Sequence, residues 1–204
     1  MSEFDQKARD WDTPSKMERA RTIADAIRSK ISLSKDMSAF EYGCGTGLLS
    51  FELKDDLGPI TLADSSEGML DVLKEKIRSR SVDNMKPAKL DLSKDPLPDD
   101  HFDVVYTMMT LHHIPDTRQI LKQFYTLLNP GGHLCVADLD KEDGSFHGHN
   151  FHDIHKGFDR NKLAAIAEEA GFTDVTFTTA YELTKEVEEG TQTFPIFLMV
   201  AEKG

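Results

Sequence analysis

Three glycines at alternate positions, Gly43, Gly45 and Gly47, separate a short apolar run ending in Glu41-Tyr42 from a helical pattern that starts at Leu48. Residues without a Cβ let the backbone turn tightly, offer its N–H groups and allow a ligand to lie against the main chain, while the helix that follows presents its positive dipole end. A strand, a glycine turn and a helix in this order predict an α/β chain that binds a nucleotide-like or amino-acid-like small molecule at the mouth of its first strand. The spacing then divides the binders. A dinucleotide fold wants G-x-G-x-x-G, which would place glycine at position 48. That position is Leu48.

At 204 residues the chain is long enough to bury one full core, and no low-complexity tract, repeat or Pro/Ser-rich linker divides it. Its formal net charge of -12 repels a polyanion, which argues against a nucleic-acid partner. Lys74, Lys76, Arg78 and Arg80 crowd one predicted helix together with Asp71 and Glu75, and read as a solvated face. The amino terminus lacks the basic region and apolar run of a secretory signal, so a cytoplasmic location is expected. The longest apolar stretch, Ile196 to Ala201, is far below the roughly 20 residues that span a bilayer, so no membrane association is expected. Cys44 in the glycine turn and Cys135 in an apolar strand suit small reduced side chains.

Along the chain, short apolar runs alternate with helical patterns, which predicts a doubly wound α/β sheet. A helix is expected from Ser15 to about Ile31, with Ser15 and Glu18 as a capping box behind Pro14. Strands follow at 39–42, 60–63, 88–90 and 102–107, with helices from Leu48 to about Leu57 and from Ser66 to about Arg80 between them. A helix over 116–128 stops at Asn129-Pro130-Gly131-Gly132, and a fifth strand covers 133–139. The next helix opens at Asp159 and ends at Gly171; two strands, 175–183 and 194–201, close the chain across a polar connection from Lys185 to Thr193.

Ligands of open α/β sheets bind outside the carboxyl ends of the strands, so acids at those ends carry weight. Asp64, followed by Ser65, ends the second strand 21 positions after Gly43, the offset of a ribose-binding acid. Asp91 and Leu92 end the third. Further on stand Leu111-His112-His113-Ile114-Pro115-Asp116 and Leu128-Asn129-Pro130-Gly131-Gly132. Glu41-x-Gly43-x-Gly45-x-Gly47 resembles motif I of class I S-adenosylmethionine (SAM)-dependent methyltransferases. With Asp64, Asp91-Leu92 and the later segments in order, residues 38–140 look like the small-molecule type that includes the ubiquinone- and menaquinone-biosynthesis methyltransferases.

That resemblance implies a Rossmann-like seven-stranded sheet, mostly parallel with the last strand antiparallel, and a single domain. Residues 1–33 would be a helical cover, 38–140 the SAM-binding half and 141–204 the acceptor-side loop with the closing strands. It implies SAM as cofactor, with Gly43, Gly45 and Gly47 at its methionine part, Asp64 and Ser65 at its ribose, Asp91 and Leu92 at its adenine, and Met69 and Thr107 lining the same site. Glu41 is expected to bind the loop's N–H groups or the cofactor's amino group, since a buried Glu needs a partner.

Methyl transfer from a sulfonium needs alignment and exclusion of water, with a base when the acceptor still carries its proton. His112, His113 and Asp138, at the ends of strands four and five, are the candidate catalytic residues. The Asn/Asp-Pro-Pro-aromatic turn of methyltransferases that act on exocyclic or amide nitrogen is replaced by Tyr106-Thr107-Met108-Met109, which leaves oxygen, carbon or sulfur of a small-molecule acceptor. Trp11 in the N-terminal segment and His147, His149 and His152 in a His-rich loop are candidate acceptor-binding residues. That loop reads as a lid, as a surface loop, or as a metal site through His152 and His155; no metal is assigned. A SAM-binding protein without catalysis and a nicotinamide-dependent oxidoreductase remain as alternatives.

Overall fold

The computed structural model describes residues 3–146, 155–187 and 190–204. A short helix α1 (Glu3–Lys7), extended by a 3-10 turn (Ala8–Asp10), leads into α2 (Pro14–Lys30). Then follow β1 (Ala39–Tyr42), α3 (Leu48–Leu53), β2 (Ile60–Asp64), α4 (Glu67–Ser79), β3 (Met85–Lys89) and β4 (Phe102–Met108). A 3-10 turn at Leu111–His113, α5 (Thr117–Leu127), β5 (Leu128–Leu139), α6 (Arg160–Ala170), β6 (Phe172–Val187) and β7 (Gly190–Lys203) complete the chain. The seven strands form one sheet in the order β3-β2-β1-β4-β5-β7-β6. The first five are parallel, and β7 inserts antiparallel between β5 and β6.

Strand order reverses between β1 and β4, and this is where the glycine turn emerges. Each face of the sheet carries its own core, because side chains alternate along a strand. Cys135, Ala137 and Leu139 of β5 face α2, α3 and α4, whereas Leu134 and Val136 face α5 and α6. No described helix is long and apolar enough to cross a membrane. Cys44 and Cys135 are buried free thiols.

Several boundaries differ from the sequence expectation for identifiable reasons. Pro14 takes the first helical position of α2, so the cap falls on Thr13, whose Oγ1 accepts from Lys16 N at 3.4 Å, and Ser15 makes no capping box. α3 stops at Leu53, where Asp56 N bonds Leu53 O at 3.0 Å and tightens the last turn. β5 begins at Leu128, five residues early: Phe102 pairs with Leu128 and Val104 with His133, so the Pro-Gly-Gly segment is absorbed as an irregularity in the ladder. The expected polar connection after β6 is instead the end of a long two-stranded ribbon, with Lys185 opposite Gln192 and Val187 opposite Gly190. Leu183 and Val187 pack on the core there, but the polar residues between them hide the strand period.

Phe197 is fully buried in β7, where it meets Phe158 and Phe177. Phe197→Ala is expected to cost about 3–5 kcal/mol, read as a lower urea midpoint with unchanged slope.

Candidate active site

Gly43, Gly45 and Gly47 hold φ of +67°, +53° and +80°. A Cβ on Gly43 would stand 2.2 Å from Thr110 Cγ2, and one on Gly47 2.7 Å from Leu73 Cδ1, so conformation and space both demand glycine there. The turn is fastened sideways to β2. Gly43 N and Cys44 N both donate to Ala63 O, at 2.8 and 3.0 Å, and Gly45 N donates to Asp64 Oδ2 at 2.7 Å. Gly47 N closes on Cys44 O at 2.8 Å. These four N–H groups therefore serve the turn itself, contrary to the expectation that the loop offers its donors outward. What the loop presents is a half-buried shelf of backbone at Gly45, where a Cβ would sit 3.7 Å from Trp11 Nε1 and 3.9 Å from Met69 Sδ.

Asp64 is the hinge of this arrangement. Its Oδ1 accepts from Ser66 N at 2.8 Å, and burial raises its carboxyl above the ordinary value despite donors from Ser66, Gly45 and Ser65. The cap of α4 is Ser66, whose Oγ accepts from Met69 N at 3.3 Å, and Ser65 is exposed at the rim. The N-terminal segment is pinned across the site by two carboxylates that sequence reading missed. Asp5 Oδ1 accepts from Ser66 Oγ at 2.6 Å and Gly68 N at 3.0 Å; Asp12 accepts from Thr46 Oγ1 and, at 2.7 Å, from Lys76 Nζ. Lys76 also donates to Thr46 O at 2.8 Å. It therefore leaves the solvated face expected of it: its side chain is only 14% exposed. No local pattern marks these partners, because they lie more than 30 residues apart in sequence.

Glu41 is also placed otherwise than expected. It accepts from Ser50 Oγ on α3, which in turn lies 2.6 Å from the Tyr106 hydroxyl, and it bonds none of the turn's N–H groups. The side chain of β1 at this position points under α3 rather than out of the strand end. Burial pushes its carboxyl up to about 8, against the lowering effect of the Ser50 bonds.

Thr107 Oγ1 donates to Tyr42 O at 2.8 Å, and Leu92 is buried with its N–H on the Tyr42 hydroxyl at 3.1 Å, so both frame the site from behind. Asp91 stands at the rim in a turn of its own, accepting from Ser93 N at 3.0 Å and Lys94 Nζ at 2.7 Å. Burial would raise its carboxyl, but these partners hold it below the ordinary value.

Beyond the turn, Thr110 Oγ1 donates to Gly43 O at 3.2 Å and starts the 3-10 turn that carries His112 and His113. His112 is 1% exposed and donates from Nδ1 to Asp138 Oδ1 at 2.7 Å, since an ionised carboxylate only accepts. Burial alone would raise Asp138; the field of His112 and the donors from His112 and Leu139 overcome it and hold the carboxyl below its usual range. A chain of ring contacts runs from the glycine shelf to this dyad: Trp11–Phe4 at 5.8 Å, Phe4–His113 at 5.5 Å, His113–His112 at 4.0 Å and His112–Phe146 at 6.4 Å. His147, His149 and His152 lie outside the described residues. His155 donates from Nε2 to Ile114 O at 2.9 Å.

The methyltransferase-domain family matches residues 33–190, more than half of the chain. The chain belongs to that family. An uncharacterized methyltransferase of Schizosaccharomyces pombe is 35% identical over 144 residues, 67% of this chain and 49% of that protein. The demethylmenaquinone methyltransferase of Listeria welshimeri is 31% identical over 112 residues, 53% of this chain and 48% of that one. The chain thus spans about half the length of these curated relatives. The crystal structure of a SAM-dependent methyltransferase from Aquifex aeolicus superposes with a TM-score of 0.73, covering 98% of both chains at 20% identity, which shows the shared fold.

In this methyltransferase domain the buried Glu41 carboxyl makes apo stability pH-dependent. The folded state holds its proton up to about pH 8 and the unfolded state only to 4.5, so stability present below 4.5 is lost as pH rises between those values. Urea unfolding of wild type and Glu41→Gln is expected to diverge across that window, the variant losing less stability toward pH 8.

Proposed function

We propose that this domain is a SAM-dependent methyltransferase that acts on oxygen, carbon or sulfur of a small-molecule acceptor. The observation that carries the reading is the half-buried Gly45 backbone set between the Asp64 carboxylate and the Trp11/Met69 pair. These residues fit SAM: a shelf a Cβ would fill, a carboxylate matched to two ribose hydroxyls, and soft apolar covers for a ring. The bound cofactor supplies a methyl group on a sulfonium, an electrophile that needs no covalent nucleophile from the protein.

The chain's residues then have distinct tasks. The turn from Gly43 to Gly47 backs the methionine part, Asp64 with Ser65 holds the ribose, and Asp91 turns from Lys94 to the adenine amine with Leu92 behind it. Trp11 and Phe4 exclude water from above. His112, oriented through Nδ1 by Asp138, directs Nε2 as the acceptor of a proton from the substrate when one must leave. Support for a small-molecule acceptor comes from the net charge of -12, which disfavours polyanions, and from the demethylmenaquinone methyltransferase likeness.

Thermal shift with SAM, its demethylated product and NAD tests the class. The two sulfur compounds are expected to stabilise the chain, by about 2.7 kcal/mol at 100 times the dissociation constant, and NAD to leave it unchanged; the reverse would sink the reading. Trp11, the sole tryptophan, should report the same binding as a change in intrinsic fluorescence. Asp64→Ala is expected to weaken product binding by roughly tenfold or more, as loss of charged hydrogen bonds requires. On a panel of hydroxylated, thiol and quinone-like acceptors, His112→Asn is expected to lower kcat by about 10²–10⁴-fold with SAM affinity retained.

A further inference from the structure

Five residues of α2 are buried, and four of them, Ala20, Ile23, Ala24 and Ile27, are apolar. The fifth is Arg19, 8% exposed, and among the described residues its Nε has no hydrogen-bond partner. Three other cations that are partly shielded are paired. Arg28 meets Asp25 and Asp56, Lys76 meets Asp12, and Arg160 grips Asp140 with two bonds of 2.7 and 2.6 Å. Burial lowers the pKa of Arg19 against the fields of Tyr181 of β6 and Asp138 of β5, and Lys16, one turn earlier on α2, is a like charge within range. Asp138 is already committed: its Oδ1 accepts from His112 Nδ1 and Leu139 N, both at 2.7 Å, and its Oδ2 from His112 N at 3.3 Å. A guanidinium does not shed its proton, and a buried donor such as Nε left without a partner is costly to keep.

Its place in the fold says which anion it awaits. In sheet order, β5 stands two strands from β1 and β6 four, about 10 and 19 Å at the usual strand spacing. The glycine turn emerges from β1, so the two groups of β5 and β6 whose charge acts on Arg19 stand to one side of it. The ring wall from Trp11 to Phe146 leads in the same direction. Lys185, on β6, sets its Nζ 5.0 Å over the Phe146 ring and adds a second cation on that side.

We propose that Arg19 anchors a carboxylate of the methyl acceptor, so that the site selects anionic, planar small molecules and turns their reacting atom toward His112. This rests on the methyltransferase reading of the same site and adds its substrate class. A guanidinium presents parallel N–H groups to the two oxygens of a carboxylate. The ring wall would take the flat apolar part of such a molecule.

Calorimetric titration of the full chain with benzoate and with benzamide, each in the absence and presence of the demethylated SAM product, tests this. Wild type is expected to prefer benzoate about tenfold, the worth of one charged hydrogen-bonded contact. Arg19→Gln should lose that preference, Arg19→Lys should keep part of it, and both should bind the demethylated product within about twofold of wild type. Equal binding of acid and amide by wild type would overturn the proposal, as would a preference that survives in Arg19→Gln. A tenfold loss of product affinity in Arg19→Gln would also overturn it, by assigning the cation to the cofactor's own carboxylate. Failure of wild type to bind the demethylated product would instead remove the cofactor reading, and the acid-over-amide comparison without it is scored separately.

Discussion

The site depends on one lateral fastening: the turn after β1 is bonded to the end of β2. Ala63 O takes the N–H groups of Gly43 and Cys44, and the Asp64 carboxylate bridges Gly45 N to Ser66 N. This holds the left-handed glycines in place and sets the Gly45 backbone beneath Trp11 and Met69. It also sets the start of α4, on whose first turn Asp5 docks. Without this cross-link the turn would be a flexible connection with maximal backbone entropy to lose.

From that fastening the rest of the site is layered outward. The N-terminal segment closes over it through Asp5 and Asp12, which places Trp11 above Gly45 and Phe4 against His113. The ring wall ends on His112, which Asp138 of β5 holds, and β7's antiparallel insertion brings β6 and its Tyr181 round to face α2. One end of the site is thus closed by short polar bonds and the other lined by rings. The two halves suit a polar cofactor and a flatter, less polar molecule.

Legibility varied with how local each cause was. The glycine turn, the caps at Asp116 and Asp159 and the stop at Gly171 rest on neighbours a few residues away and could be read from the string. The start of β5 could not, because Pro130 and Gly131 look like a stop until Phe102 of β4 is found beside Leu128. Nor could the ribbon at the end of β6, where Leu183 and Val187 pack on the core but are separated by three polar residues. Lys76 read as surface because Asp12, 64 positions away, is what draws it inward.

The sequence by itself determined the α/β class, the order of elements and the position of the glycine turn between Glu41 and Leu48. These follow from side-chain period and from the conformational freedom of glycine, both short-range properties. Only the tertiary structure decided that the turn spends its N–H groups on β2, that Glu41 lies with Ser50 and Tyr106, that His112 is held by Asp138 and that Arg19 Nε is buried with no hydrogen-bond partner among the described residues. Each of these depends on which strands become neighbours and on what is excluded from water when they do. That is a property of the packed sheet and has no signature in any window of the chain.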